Sequence, residues 1–555
     1  MMNRKTLGII FGVSALTAVL TLGFIGSPDG DLFLKINRGI DVFGKVYKEI
    51  TTNYVDEVDP ERFMRAGIDG MLKTLDPYTV YIGEKEGDEI DLVTNGKYGG
   101  VGITIGTRDG LITVINLLEG FSAAKQGIEI GDHILEVDGK SVVGASLEDV
   151  RQLVRGAPGT EVRMKIGREG FEESLEYLLV REEIPVRNVT YVGYIEKSIG
   201  YIRLERFSRT AGDDLRTALK ELRTSGDMKG LILDLRDNPG GLLDIAVEVS
   251  SKFLPESSLI VTTRGRRSDA DRKYYSTEKP MVLDIPLAVL VNRGSASASE
   301  IVTGAIQDLD KGVIVGTRTF GKGLVQTITR LSDNTSLKVT TARYYTPSGR
   351  CIQEVDYSHR TKDGVFPTFA DSVKKEFRTS HDRKVLEGGG IDPDTVVDEE
   401  EYSKLFTELF RKAMFFKYAN RYASEHKTLP DQFEVRDDVI TDFEKFLKER
   451  KFEYQEETEL KLRDLRELAE KSRYGPAFFE QAQKMNSLIN AEKARATERY
   501  KKELRSALKT EIVGRVKGDK AKIESTFDDD NQLRVAANLL RNKKMYERIL
   551  VGKNR

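Results

Sequence analysis

The chain contains little cysteine or histidine and no tryptophan. Of its 555 residues, one is cysteine (Cys351) and four are histidine. A single cysteine cannot form an intrachain disulfide, so stability must come from packing. Hydrophobic residues make up 39% of the sequence, which is enough for buried cores, and the length suggests three to four domains of roughly 150 residues each.

An excess of charge of one sign is also missing. The sequence carries 87 basic and 89 acidic residues, and its calculated pI is about 6.3. No basic tract dominates any region. Because proteins that bind nucleic acid usually present such a tract or patch, a nucleic-acid partner is not predicted.

A long apolar run, Leu7 to Ile25, follows Arg4 and Lys5 near the start of the chain. This pattern is typical of a secretory signal or a membrane anchor, and a buried core helix is the alternative. The run is close to the roughly 20 residues that span a bilayer, and no clear pair of small residues marks a cleavage site. We therefore interpret residues 1–28 as a signal peptide or anchor, favour an uncleaved inner-membrane anchor, and expect the remainder in the periplasm.

The stretch around Ser297 has the pattern of a strand, a turn and a helix. Leu287 to Val291 is a short apolar run ended by Asn292, Arg293 and Gly294, and Ser297 with Glu300 forms a capping-box pattern. The hydroxyl of Ser297 is therefore expected at a helix N-terminus, where free backbone N–H groups can hold an anion. That arrangement suits a nucleophile beside half of an oxyanion hole, although a serine that only caps its helix gives the same pattern.

A serine nucleophile needs a base, and Lys322 is the candidate. It lies between two glycines in the loop 316–323, which lets the backbone fold tightly around one projecting side chain. A lysine serves as a base when burial lowers its pKa. His133, His359, His381 and His426 lie outside the motif-dense stretches, which leaves Ser297 with Lys322 as the better-supported pair.

The same loop nearly matches a phosphate-binding pattern. Gly316, Gly321 and Lys322 have the required spacing, but Gly323 stands where serine or threonine belongs. A P-loop also needs a helix next, whereas Leu324 to Leu331 alternates like a strand. Nucleotide binding is therefore not favoured.

The sequence GSASASE, followed by FGKG, resembles the carboxy-terminal processing or tail-specific serine proteases of peptidase family S41. The resemblance implies a serine endopeptidase in which Ser297 is the nucleophile, Lys322 the general base and Gln326 the residue that orients the lysine. In the motif RDNPGG it assigns the amide of Gly240 or Gly241 to the oxyanion hole, together with the amide of Ala298. Such chemistry requires neither a metal nor another cofactor.

Residues 97–182 resemble a PDZ domain, with YGGVGITI at its start. Gly99, Gly100 and Gly102 would form a loop that holds a C-terminal carboxylate, while the following strand edge accepts the peptide. The resemblance places Val101 and Ile103 in the side-chain pocket and the helix Leu147 to Val154 on its other wall. Arg155, just after that helix, is a candidate for linking peptide occupancy to the protease. Glycines that serve only turns are the alternative.

These patterns predict a multidomain α/β and α+β protein. We assign residues 29–90 to an N-terminal helical segment, 91–185 to a PDZ domain, 186–397 to an S41 protease core of the crotonase/ClpP-like type, and 398–555 to a charged helical domain. The apolar stripes of the last domain imply packing on the body or on a second subunit, which is compatible with a homodimer. The predicted partners are protein or peptide substrates with exposed C-termini; the rival reading is a non-catalytic PDZ scaffold.

Overall fold

The computed structural model describes residues 28–83, 96–332, 335–358, 366–368 and 374–552. Two compact units are present: one comprises residues up to Ile82 together with 328–339, and the other comprises 83–327 and 340–555. The predicted anchor, apart from Pro28, lies outside the described residues. Within those residues, no helix combines the length and apolarity needed to cross a membrane.

The first unit contains two helices and a short strand. They are α1 (Pro28–Asn53), α2 (Pro60–Leu72) and β1 (Val80–Ile82). Asp59 caps α2 by accepting hydrogen bonds from the N–H groups of the second and third residues after it, and Pro60 occupies the first helical position, where its missing N–H costs nothing. β1 pairs antiparallel with Ser336–Lys338.

The predicted PDZ region is built of short strands around its own core. Its elements are β2 (Lys97–Gly100), β3 (Ile103–Arg108), β4 (Leu111–Leu117), α3 (Ser122–Gln126), β5 (His133–Val137), β6 (Lys140–Ser141), α4 (Leu147–Val154), β7 (Glu161–Gly167), β8 (Leu175–Val180) and β9 (Glu182–Pro185). The main sheet has the order β3-β4-β5-β7-β8, so β3 is an outermost strand. The helix predicted at 147–154 has those bounds in the structure.

A six-stranded sheet forms the centre of the predicted protease region. The elements of the region are β10 (Val189–Glu196), β11 (Ile199–Leu204), α5 (Ala211–Ser225), β12 (Gly230–Asp234), α6 (Leu243–Ser251), β13 (Leu259–Gly265), β14 (Arg272–Tyr275), β15 (Leu287–Val291), α7 (Ala298–Asp308), β16 (Val313–Gly316), β17 (Leu324–Ser332), β18 (Thr335–Tyr345), β19 (Glu376–Arg378), β20 (Lys384–Leu386) and β21 (Thr395–Val396). The sheet order is β10-β11-β12-β15-β16-β21. Strands β11, β12, β15, β16 and β21 pair in parallel.

Alternating side chains divide the core of this sheet into two faces. Leu231 and Leu233 of β12 pack with apolar residues of α5, α6 and α7. Ile232, between them, faces the opposite side and packs with Leu533 and Leu540 near the end of the chain. Both faces are therefore covered by helices, as a parallel sheet requires.

The remaining elements are helical. They are α8 (Lys404–Arg411), α9 (Met414–Glu425), α10 (Asp437–Glu449), α11 (Glu457–Lys471), α12 (Pro476–Ala494), α13 (Ala496–Arg499), α14 (Lys501–Lys517), α15 (Asp519–Glu524), α16 (Asn531–Arg541) and α17 (Lys543–Val551). Residues 401–423 do not form one continuous helix, because Ala413 has a left-handed backbone (φ 54°) and separates α8 from α9. The predicted multidomain α/β and α+β fold class is confirmed.

Candidate active site

Ser297 lies at the predicted strand-to-helix turn, between β15 and α7. Its backbone has φ 55° and ψ −111°, a conformation that L-residues rarely adopt and that clusters at functional sites. The two other serines of the motif are fixed internally: the Ser295 hydroxyl donates to the Leu235 carbonyl (2.7 Å), and the Ser299 hydroxyl donates to the Asn238 carbonyl (2.9 Å). Ser297 is therefore distinguished from these two serines by its strained backbone conformation.

Gly240 packs directly against this turn. A Cβ atom at Gly240 would lie 3.0 Å from the Cβ of Ser297 and 2.7 Å from the amide nitrogen of Ala298. Its φ of +94° is also one that favours glycine. The structure therefore brings Gly240, Ser297 and Ala298 together.

The amides at this position differ in their hydrogen bonding. The Gly240 N–H donates to Asn238 Oδ1 (2.9 Å). Within the described residues, neither the Gly241 N–H nor the Ala298 N–H donates to a protein acceptor, and the latter belongs to the first turn of α7, where helix geometry leaves N–H groups unpaired. Of the two glycines proposed from the sequence, Gly241 is the one with an available donor.

A single buried carboxylate connects the backbones of Ser297 and Lys322. Glu300 Oε2 accepts hydrogen bonds from the N–H groups of Ser297 (2.8 Å) and Lys322 (2.9 Å). Its Oε1 accepts from the Thr319 hydroxyl and the Gly321 N–H, both at 2.7 Å. Because an ionised carboxylate has about four acceptor sites, these four donors match the charged form.

The environment of Glu300 favours the opposite protonation state. Its side chain is fully buried, and burial raises its pKa to about 7, against the four hydrogen bonds that lower it. The sequence predicted Glu300 only as a capping residue. The spacing from Ser297 was a signal for that role, but the contacts to Lys322 and Gly321 arise from the tertiary fold.

Tyr344 makes a second connection between the same two backbones. Its buried side chain places the hydroxyl 2.6 Å from the Lys322 carbonyl oxygen and 3.1 Å from that of Ser297. Nothing in the sequence marked Tyr344, which lies on strand β18. Together with Glu300, it fixes the Ser297 turn relative to the Lys322 loop.

Gln326 lies on β17, after Lys322. Its Nε2 donates to the Thr340 hydroxyl (3.3 Å) on the paired strand β18. The role of Gln326 in orienting the Lys322 side chain remains a prediction. A strand, β17, follows the lysine, whereas a P-loop requires a helix there.

A cavity of about 910 Å³ lies along the outermost strand of the PDZ region. Its lining includes Gly100, Val101, Gly102 and Ile103, as well as residues of α4. Gly99 does not line it; a Cβ at that position would lie 1.8 Å from the carbonyl oxygen of Gly156. Glycine is therefore needed at Gly99 for close packing.

Arg155 lines the same cavity, with its guanidinium carbon 4.8 Å from the centre of the Tyr98 ring. The cavity wall also includes Arg206 from the protease region, and Lys522 and Ile523 from α15. An occupant of this groove would thus be near residues of three regions of the chain.

Comparisons with known proteins cover most of the chain. Residues 198–369 match the peptidase family S41 and 89–167 match the PDZ domain. Residues 34–86 match the N-terminal domain of the activating protease CtpB, and 405–540 match the C-terminal helical domain of probable PDZ-proteases.

Two curated proteins and a solved structure align with much of the chain. The chain is 37% identical to a carboxy-terminal-processing protease of Bartonella bacilliformis over 359 residues, which are 64% of this chain and 81% of the relative. It is 33% identical to the carboxy-terminal processing protease CtpB of Bacillus subtilis over 337 residues, 60% of this chain and 68% of the relative. A solved photosystem II D1 C-terminal processing protease aligns at 28% identity and a TM-score of 0.35, covering 67% of this chain and 94% of that structure.

Proposed function

Because this chain belongs to the carboxy-terminal processing proteases, serine-type peptidases of family S41, we propose that it cleaves internal peptide bonds with a Ser297–Lys322 dyad. The observation that carries this proposal is the double connection between the two residues. Glu300 accepts hydrogen bonds from both backbone N–H groups, and the Tyr344 hydroxyl lies within hydrogen-bond distance of both carbonyl oxygens. Such fixed geometry suits a nucleophile and a base that must act together.

In the proposed reaction, the neutral amine of Lys322 accepts the hydroxyl proton as Ser297 Oγ attacks the scissile carbonyl carbon. The tetrahedral intermediate then collapses, and the lysine ammonium gives its proton to the leaving amine. Water attacks the resulting acyl-enzyme with Lys322 again acting as the base, which releases the product acid and restores the serine. Gln326 is proposed to orient the lysine amine.

We assign the oxyanion hole to the N–H groups of Ala298 and Gly241. Both lack a protein acceptor within the described residues, and Gly240 contributes by allowing the loop to approach Ser297. Two backbone donors aimed at the developing charge lower the barrier without reorganising during the reaction.

Substrate tails are proposed to bind in the 910 Å³ groove. Since β3 is an outermost strand, an extended C-terminal segment can add to it, with its side chains directed towards Val101 and Ile103. Arg155 and Arg206 also line the groove and supply positive charge for a peptide carboxylate. Arg155 lines the groove together with Arg206 of the protease region, which supports its proposed role in signalling occupancy to that region.

The apolar run near the N-terminus supports export to the periplasm and retention at the inner membrane. Fractionation of cells that produce the full chain tests this location.

A homodimer is supported by apolar side chains that are exposed on α1, including Phe33 and Ile40. A change of Ile40→Glu is expected to shift the sedimentation coefficient towards that of a monomer.

The dyad is tested with the full-length protein and a loosely folded substrate that has an apolar C-terminal tail. Ser297→Ala and Lys322→Ala are each expected to abolish cleavage, whereas EDTA leaves it unchanged. Lys311→Ala, at an exposed lysine, is the matched control and should cleave normally. If the wild type binds the tail but cleaves no better than the two dyad variants, the PDZ scaffold becomes the better interpretation.

A further inference from the structure

The loop from 235 to 241, here called the oxyanion loop, is fastened on one side to the Ser297 turn. The Asn238 carbonyl accepts hydrogen bonds from the Ala296 N–H (3.0 Å) and the Ser299 hydroxyl (2.9 Å). The Asn238 side chain donates to the Leu204 carbonyl (2.7 Å). These contacts fix the part of the loop that leads to the two glycines.

The other side of the oxyanion loop is held by ion pairs of Arg236. Its guanidinium forms two hydrogen bonds with Asp530, at 2.7 and 3.1 Å, and one with Gln532 Oε1, at 3.1 Å. It also pairs with Asp234 (2.6 Å), which accepts the Arg236 backbone N–H as well (2.9 Å). The loop is thus attached to a segment almost 300 positions later in the sequence.

Asp530 is itself firmly placed. It caps α16 by accepting the Leu533 N–H (2.9 Å), and Leu533 is buried against the central sheet. Just before it, the Phe527 ring meets the edges of Tyr191 and Tyr201, with centroids 5.5 and 5.4 Å apart. The position of Asp530 therefore follows from the packing of the C-terminal helices and not from the oxyanion loop.

Loss of the contact with Asp530 would destabilise the buried charge of Arg236. Its side chain is 16% exposed, and Asp234 beneath it is completely buried. A buried charge that loses one partner is strongly destabilised and will move towards water if its loop permits. Movement of Arg236 would shift the backbone that carries the proposed oxyanion donor.

We propose that Asp530 is a positioning residue for catalysis, which holds the oxyanion loop in its active shape through Arg236. This inference rests on the proposed role of the loop in the protease reaction. The C-terminal helical region then contributes directly to the geometry of the active site, without touching the substrate there.

The test compares Asp530→Ser with Asp528→Ser in the full-length protein. Serine preserves an N-cap for α16 but cannot reproduce the paired contacts with Arg236, and Asp528 is an exposed aspartate two positions away. In Asp530→Ser we expect kcat to fall by at least about tenfold, because losing one oxyanion donor outright costs about 100- to 1,000-fold. KM should change less than twofold, since the tail-binding groove is untouched.

Hydrogen exchange of residues 235–241 provides a readout that does not depend on activity. The loop should exchange at least tenfold faster in Asp530→Ser than in Asp528→Ser, and Asp530→Asn, which keeps the cap and one acceptor oxygen, should lie between them. Unchanged exchange in the oxyanion loop, or equal kcat in the two serine variants, overturns the proposal. If Asp530→Ser does not fold, Asp530→Asn decides by the same two measurements. An inactive wild type contradicts the proposed function, while hydrogen exchange still decides whether Asp530 orders the loop.

Discussion

Replacing Glu300 with glutamine tests the central contact of the proposed active site. The carboxylate accepts four hydrogen bonds, two of them from the backbones of Ser297 and Lys322. A carboxamide has one oxygen, so its NH₂ group must face two of the four donors, and at least one buried backbone N–H loses its acceptor. Such a loss costs about 1–3 kcal/mol, and we expect kcat to fall by at least about tenfold as the two segments separate.

The same variant also tests how protein stability depends on pH, because the direction of that dependence follows from the pKa of Glu300. Burial raises the pKa of Glu300 from 4.5 to about 7. A raised carboxyl pKa means that the folded state binds the proton more tightly, so its stabilising contribution is complete below about pH 4.5 and is lost as the pH rises through 7. The change corresponds to about 3 kcal/mol, at about 1.4 kcal/mol for each pH unit between the two pKa values.

Calorimetric unfolding of the wild type and Glu300→Gln between pH 4.5 and 8 measures this effect. The melting temperature of the wild type, relative to the variant, should fall by roughly 5–10 °C between pH 4.5 and 7 and then level off. Glu256→Gln, at an exposed glutamate, is the control and should track the wild type throughout. A difference that is constant with pH, or that rises, would refute the reasoning, since it would show that the ionised carboxylate is not penalised by burial.

Three further changes address separate contacts. Gly240→Ala should lower kcat at least about 100-fold in steady-state assays, because its Cβ would lie 2.6 Å from the Ala296 carbonyl oxygen in the Ser297 turn. Gly110→Ala, whose Cβ meets open space at a similar φ, should retain activity. Tyr344→Phe keeps the buried ring but loses the hydroxyl, and is expected to cost about 1 kcal/mol of stability and to reduce kcat. Arg155→Ala should lose the stimulation of cleavage by an added tail peptide while retaining basal cleavage, and Arg163→Ala, an exposed arginine of the same domain, should respond like the wild type.

Local patterns predicted elements around both candidate sites. The strand Leu287–Val291 and the helix Leu147–Val154 have the predicted bounds, because apolar spacing and capping residues act over a few positions. The position of Ser297 at a helix N-terminus follows from the same signals. The strained backbone of Ser297 does not, since it results from packing between segments that are distant in sequence.

Contacts between segments that are distant in sequence could not be predicted from the sequence pattern. Tyr344 reaches the backbones of Ser297 and Lys322 because β18 passes beside them, and a tyrosine on a strand gives no sign of this. The choice between Gly240 and Gly241 likewise required hydrogen bonds: the first N–H is occupied by Asn238, and the second has no protein acceptor within the described residues.

For the charged C-terminal helices, the sequence predicted that they pack on a partner but did not identify that partner. Their apolar stripes predicted packing on some partner, and for α16 and α17 that partner is the second face of the protease sheet, including Ile232 and Leu290. A parallel sheet with one bare face would expose a continuous apolar surface, so these helices complete the protease fold. The same packing fixes Asp530 beside Arg236. One segment therefore contacts both the sheet and the oxyanion loop, and this is the physical basis of our proposal that a region without substrate contacts contributes to turnover.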